Sequence, residues 1–200
     1  MNTHRRSRTR RRGLTVAELM LAMAGTSLVG LAVSAMVFAT DRGSDEEKSV
    51  RSLVVESKVV SSRINAALRS CRRVLDVSST RVILWTSDTD NDGLVDASEV
   101  GVIDHDPATT QLTYATVASG IATEWDPATT SFVTPILALQ AANNLDATVW
   151  SNRVVTATFT TNNPADHISA ALIAYQIEIA HAQLTEVTTH SVALRNRSQN

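Results

Sequence analysis

One cysteine, Cys71, stands alone among 200 residues. No intrachain disulfide can form, and no CxxC or Cys/His cluster of zinc spacing occurs. The five histidines, His4, His105, His167, His181 and His190, are scattered along the chain. None belongs to an HExxH helix and no GxSxG turn is present, so two common hydrolase patterns are missing. No oxidoreductase constellation takes their place, and a non-enzymatic role is expected. The triplet Asn196-Arg197-Ser198 fits a glycosylation acceptor, but a three-residue pattern is too short to carry an argument.

Charge is missing from a long stretch and lopsided elsewhere. The formal net charge is −2. Arg5, Arg6, Arg8, Arg10, Arg11 and Arg12 are six of the 18 basic residues, and all precede Gly13. The remainder carries 12 bases against 20 acids, a net of −8. A nucleic-acid reading would rest on the first 13 residues alone, and nucleic acid is not expected as a partner.

Leu19 to Ala39 is a run of 21 residues without a charge. At about 1.5 Å per residue a helix of this length spans roughly 30 Å, the thickness of a bilayer core. Arginines before the run and the acidic DRGSDEEK after it orient a span with its N-terminus in the cytoplasm. An ordinary secretory signal would have a shorter apolar region, roughly 7–15 residues. A twin-arginine signal is matched only loosely by Thr9-Arg10-Arg11-Arg12-Gly13-Leu14. Neither explains Glu18, a carboxylate at the mouth of the span, where an isolated charge is costly.

The stretch Gly13-Leu14-Thr15-Val16-Ala17-Glu18-Leu19 resembles the processing site of type IV prepilins and pseudopilins. The resemblance implies a basic leader, residues 1–13, cut after Gly13 by a prepilin peptidase that methylates the new N-terminus. Leu14 stands where the family usually has Phe. Glu18 falls at the family's glutamate, which meets the free amine of a neighbouring subunit in the fibre. A buried charge that gains its partner only on assembly would also set axial register. The ending Val192-Ala-Leu-Arg-Asn196 is similar to minor pilins of the PilW and PulJ/GspJ kind.

Beyond the span, Asp41 to Lys48 is polar and Gly43 weakens helix. Leu53, Ser57, Val60, Ile64, Leu68, Cys71 and Leu75 then follow steps of three and four, which draws one helix face. Cys71 lies on that face, as a small core residue rather than a reactive thiol. After Asp76 the pattern becomes strand-like. Arg81–Trp85, Val100–Ile103 and Gln111–Tyr114 are short apolar runs, the last two flanking the turn Asp106-Pro-Ala-Thr-Thr110. The same five residues recur at Asp126–Thr130, as a favoured turn used twice rather than a duplicated hairpin. Val155, Ala157 and Phe159 alternate with threonines, and Ile173, Tyr175, Ile177 and Ile179 alternate again. A last strand is expected at Ser191–Arg195, across a polar turn near Thr185–His190.

The predicted fold class is therefore α+β and pilin-like. A helix over 14–75, with its transmembrane half at 19–39, packs on an antiparallel β-sheet domain over 76–200.

One further motif stands out. Asp88-Thr-Asp90-Asn-Asp92-Gly93-Leu94-Val95-Asp96-Ala-Ser-Glu99 fits the twelve-residue EF-hand loop at every key position. The expected cofactor is calcium. Its ligands would be the side chains of Asp88, Asp90, Asp92 and Glu99, the carbonyl of Leu94, and Asp96 directly or through water. The flanks read as strand rather than helix, so the competing reading is a bare acidic hairpin turn.

The sequence thus predicts a subunit of a type IV pilus or type II secretion pseudopilus. Its expected partners are other pilin or pseudopilin subunits, the prepilin peptidase and the bacterial inner membrane, before passage into a periplasmic or surface fibre. The rival is a membrane-anchored or exported binding protein or enzyme with an uncut helix.

Overall fold

The computed structural model describes residues 15–128, 130–181 and 183–194, with 39–46 described as helical backbone. Gly13 and Leu14 lie outside the described residues. The chain divides into two units, residues 1–48 and 49–200.

Helix α1 runs Val16–Ser70 and is continuous through the polar stretch around Gly43. Val16–Phe38 is long and apolar enough to cross a membrane. Its side chains are exposed on every side, including Leu21 at 77% and Met36 at 73%. By length and composition such a helix suits a membrane anchor or a signal sequence.

The second part of α1 belongs to the second unit and is amphipathic. Leu53, Ser57, Val60, Ile64 and Leu68 are buried in the spacing the sequence predicts. Burying Val60, Ile64 and Leu68 contributes roughly 1.5–3 kcal/mol each. The one polar member of the face, Ser57, pairs its hydroxyl with Thr188 Oγ1 at 2.5 Å.

The predicted helix end at Leu75 is corrected. The helix stops at Ser70, and Arg73–Val77 is strand β1. The Arg72 N–H turns from the helix to the Trp85 carbonyl at 2.7 Å, which starts the ladder with β2, Arg81–Trp85. Helical spacing does account for Cys71, whose amide still donates to the Ala67 carbonyl at 3.1 Å, but Leu75 is buried from a strand, at a bulge between Val74 and Asp76. Strand alternation then places Val74 in one core and Leu75 in the other.

Among the described residues, three antiparallel sheets replace the single sheet expected. The largest has the order β1-β2-β4-β5-β7, where β4 is Val100–Asp106, β5 Gln111–Val117 and β7 Leu145–Ser151. A second has the order β10-β9-β8, with β8 Val154–Thr161, β9 Leu172–His181 and β10 Leu184–Ala193. The third pairs β3, Val95–Asp96, with β6, Glu124–Trp125.

The five-stranded sheet has a core on each face. Val82, Leu84 and Ile103 join α1 and the three-stranded sheet, while Ile83, Trp85 and Val102 join Phe132 and Ile136. Gly101 belongs to this crowding, because a Cβ there would lie 2.5 Å from the Tyr114 hydroxyl oxygen. His105 is buried, and its Nε2 donates to the Val154 carbonyl at 2.9 Å.

Several local expectations change. Helix α2, Val133–Ala141, was not foreseen; its Pro135 sits in the first turn, where no amide donor is needed. In β8 a bulge between Val154 and Thr156 buries Val154 and leaves Val155 exposed. The polar stretch Thr185–His190 is strand, paired with β9 in unbroken register. The two DPATT copies share one device: the Ala108 and Ala128 amides donate to Asp106 and Asp126 Oδ1 at 2.9 and 2.8 Å. The first copy joins β4 to β5, and the second leads from β6 towards α2. It is a turn used twice.

Candidate metal site and the helix start

The acidic loop lies between β2 and β4, which are direct neighbours in the sheet. Asn91 at φ 60° and Gly93 at φ 80° take the left-handed region, which lets the chain reverse twice in three residues. The Asp92 amide donates to Asp90 Oδ1 at 3.4 Å, and the Leu94 amide to Asp92 Oδ1 at 2.8 Å. The loop then enters a short 3-10 turn, Ala97–Glu99, and β4 begins at once. The flanks are strand, as the sequence indicates.

Three of the predicted ligands come together. Asp88, Asp90 and Glu99 each offer a carboxylate oxygen within 4.8 Å of the others. Asp92 and Asp96 lie outside that group.

The three carboxylates have different surroundings. Asp90 is exposed. Glu99 is 3% exposed and held by its neighbours: Trp85 Nε1 donates to Oε2 at 3.0 Å, and the Thr89 amide donates to Oε1. The Asp96 amide adds a longer bond to Oε2 at 3.4 Å. The Asp88 side chain is fully buried and ion-paired through Oδ2 with Arg72. Asp88 Oδ1 is buried with no hydrogen-bond partner. Such an oxygen is costly to leave bare.

The electrostatics agree with the geometry. Asp88, Asp90 and Glu99 with Arg72 sum to −2, the complement of a divalent cation. The Asp96 carboxyl is held above its ordinary range, first by desolvation and then by the charges of Asp90, Glu99, Asp92 and Asp88. Hard calcium takes oxygen ligands and favours carboxylates. The orphaned Asp88 oxygen, with Asp90 and Glu99 at matching distance, fits that chemistry.

Two participants were not visible in the sequence. Arg72 reaches Asp88 from the end of α1, and its guanidinium lies 4.4 Å over the Trp85 ring. Trp85 in turn holds Glu99. Only the strand pairing of 73–77 with 81–85 brings Arg72 there, and no local motif encodes it.

Glu18 occupies a different setting. The Thr15 amide and hydroxyl donate to Glu18 Oε2 at 2.9 and 3.1 Å. The Glu18 amide donates back to Thr15 Oγ1 at 3.3 Å. This is a capping box, with Thr15 as N-cap and Glu18 three residues on. The carboxylate predicted to be unpaired in the single chain therefore has local partners.

The chain matches no protein-family model, no curated protein and no solved structure.

Proposed function

We propose that the chain is a non-enzymatic fibre subunit, a pilin or pseudopilin processed after Gly13, whose sheet domain carries a calcium loop. The observation that carries this reading is the position of the Gly13–Glu18 motif. It lies directly before a helix that is apolar on all sides to Phe38 and amphipathic in its second part. One helix then serves two surroundings, lipid or packed neighbouring helices first and its own sheet domain after. The similarity of Val192–Asn196 to minor pilins narrows the proposal to a minor subunit.

The proposed calcium ligands are Asp88, Asp90 and Glu99, with Asp92, Leu94 and Asp96 completing the shell directly or through water. The ion would tie the β2–β4 connection to the end of α1 through Arg72. Its role in this reading is to stiffen one loop at a subunit contact.

The deciding experiment is mass spectrometry of the N-terminus from cells with an active prepilin peptidase. The expected species begins at Leu14, with or without a methyl group. An intact Met1, or a cut after Ala35 or Ala39, would overturn the reading and favour an uncut anchor or an ordinary signal.

A further inference from the structure

A groove of about 410 Å³ lies along the second part of α1 beside β10. Lys58, Ser61, Ser62, Asn65, Arg69 and His190 line it. No carboxylate does. Ser61 is 5% exposed, and its hydroxyl oxygen has no hydrogen-bond partner. The Tyr175 hydroxyl donates to the Ser61 carbonyl at 3.1 Å and to Asn65 Oδ1 at 2.9 Å. That contact occupies the Asn65 acceptor and leaves its amide hydrogens as the available group.

Among the described residues, the groove's two cations have no carboxylate partner. Arg72, Arg81 and Arg153 each meet a carboxylate. Among the described residues, Lys58 and Arg69 meet none within ion-pair distance. The groove is thus rich in donors and poor in acceptors, with a buried hydroxyl still to satisfy. That is the chemistry of an oxyanion site.

We propose that the groove receives the acidic run Asp45-Glu46-Glu47 of a second copy of this chain. The inference rests on the fibre-subunit reading. Charge complementarity selects the occupant. Residues 49–200 carry 10 bases and 15 acids, so the unit as a whole is acidic, while the groove is lined by cations and no carboxylate. On a helix three consecutive carboxylates fan out, so one or two of them meet Lys58 and Arg69, with donors from Ser61, Ser62 and Asn65 beside them. The two complementary patches lie at different positions of one molecule. Between subunits that point the same way, as in a fibre, such a contact is heterologous, and it repeats into an open filament unless it closes a ring.

The test uses the full chain in cells, with a photo-crosslinking residue in place of the exposed Ser62. A copy-to-copy adduct should form and map to residues 41–48. Lys58→Glu with Arg69→Glu should lower its yield about tenfold, equivalent to ~1.4 kcal/mol. Adding Glu46→Lys and Glu47→Lys should restore it. No adduct, an adduct to another site, protein or lipid, or a loss that the exchange does not restore would overturn the proposal. Cleavage after Gly13 and recovery in sheared fibres are scored in the same samples. A processed, fibre-borne chain without the adduct overturns the groove alone, whereas an unprocessed chain without it overturns both readings.

Discussion

Asp90→Ala separates a metal site from a bare acidic turn, because it removes both the charge and the ligand oxygen and the two readings then give opposite orders of stability with and without calcium. The oxygens of Asp88, Asp90 and Glu99 lie within 4.8 Å of one another. Two like unit charges at that separation repel by ~0.9 kcal/mol in a water-like dielectric and ~3.5 kcal/mol at an effective dielectric of 20. Asp90 is exposed, so the lower figure applies to each of its two pairs, and Arg72 offsets part of it. Removing the Asp90 charge should therefore raise metal-free stability by up to about 1 kcal/mol. Calcium reverses the order. At ten times the dissociation constant, linkage stabilises the native chain by about 1.4 kcal/mol. For a domain of this size that is a rise of roughly 3–6 °C in melting temperature. The assay is thermal unfolding of the full chain in detergent, followed by tryptophan fluorescence. It is run with chelator and then with about 10 mM calcium, ten times the weak end of the range for extracellular sites. The native chain should melt below Asp90→Ala in chelator and above it in calcium. A variant that stays above in both conditions, or a native chain indifferent to calcium, would refute the metal site and leave an acidic turn.

Three further outcomes are expected. Ile64→Ala removes a side chain at 0% exposure from the interface of α1 with the sheets, and should destabilise the second unit by about 2–5 kcal/mol in denaturant titration; a loss under about 1 kcal/mol would contradict the packing described. Burial pushes the Cys71 thiol up to about 11, so it should resist alkylation at pH 8 until the chain unfolds; the raised value also means that its stabilising contribution is complete below the unfolded thiol range near 9 and is lost as pH rises through 11, a slope that Cys71→Ser should remove from alkaline unfolding curves. Glu18→Gln should leave the melting of the sheet domain unchanged while lowering recovery in fibres, and normal recovery would count against charge pairing at that position.

What was legible in the sequence follows from how local each signal is. The face Leu53–Leu68 was legible because helical periodicity and burial coincide there. The strands Arg81–Trp85 and Ile173–Ile179 were legible because apolar content or alternation marked them. The stop at Ser70 was not, since a helical step of four and a strand place Leu75 inside equally well. Val154 and Val155 failed for the same reason: a bulge shifts the alternation by one, and a period-two pattern cannot show which valine turns inwards. Helix α2 is short and almost wholly apolar, so it carries no amphipathic stripe to read. At the candidate site, Asp88, Asp90 and Glu99 were legible from ligand spacing. Arg72 and Trp85 were not, because strand pairing rather than sequence neighbourhood brings them there.

The capping box at Thr15 changes how Glu18 must act in the proposed fibre. A carboxylate stranded in lipid would drive assembly by relief of a large penalty. Here the Thr15 amide and hydroxyl already engage it, so the penalty in the single chain is smaller. Pairing with a neighbour's ammonium then contributes only the difference between a charge-assisted contact and the cap. That difference remains favourable where both charges are shielded from water, since a charged donor roughly doubles the strength of a neutral hydrogen bond. The local cap also holds the helix start in shape before a partner arrives, which lowers the ordering cost of docking. Glutamine can fill the third position of a capping box but cannot supply the charge. Glu18→Gln therefore isolates the electrostatic part. If Glu18 serves only the helix start, the glutamine variant assembles normally. If it serves the neighbour, the helix forms and the subunit is left out.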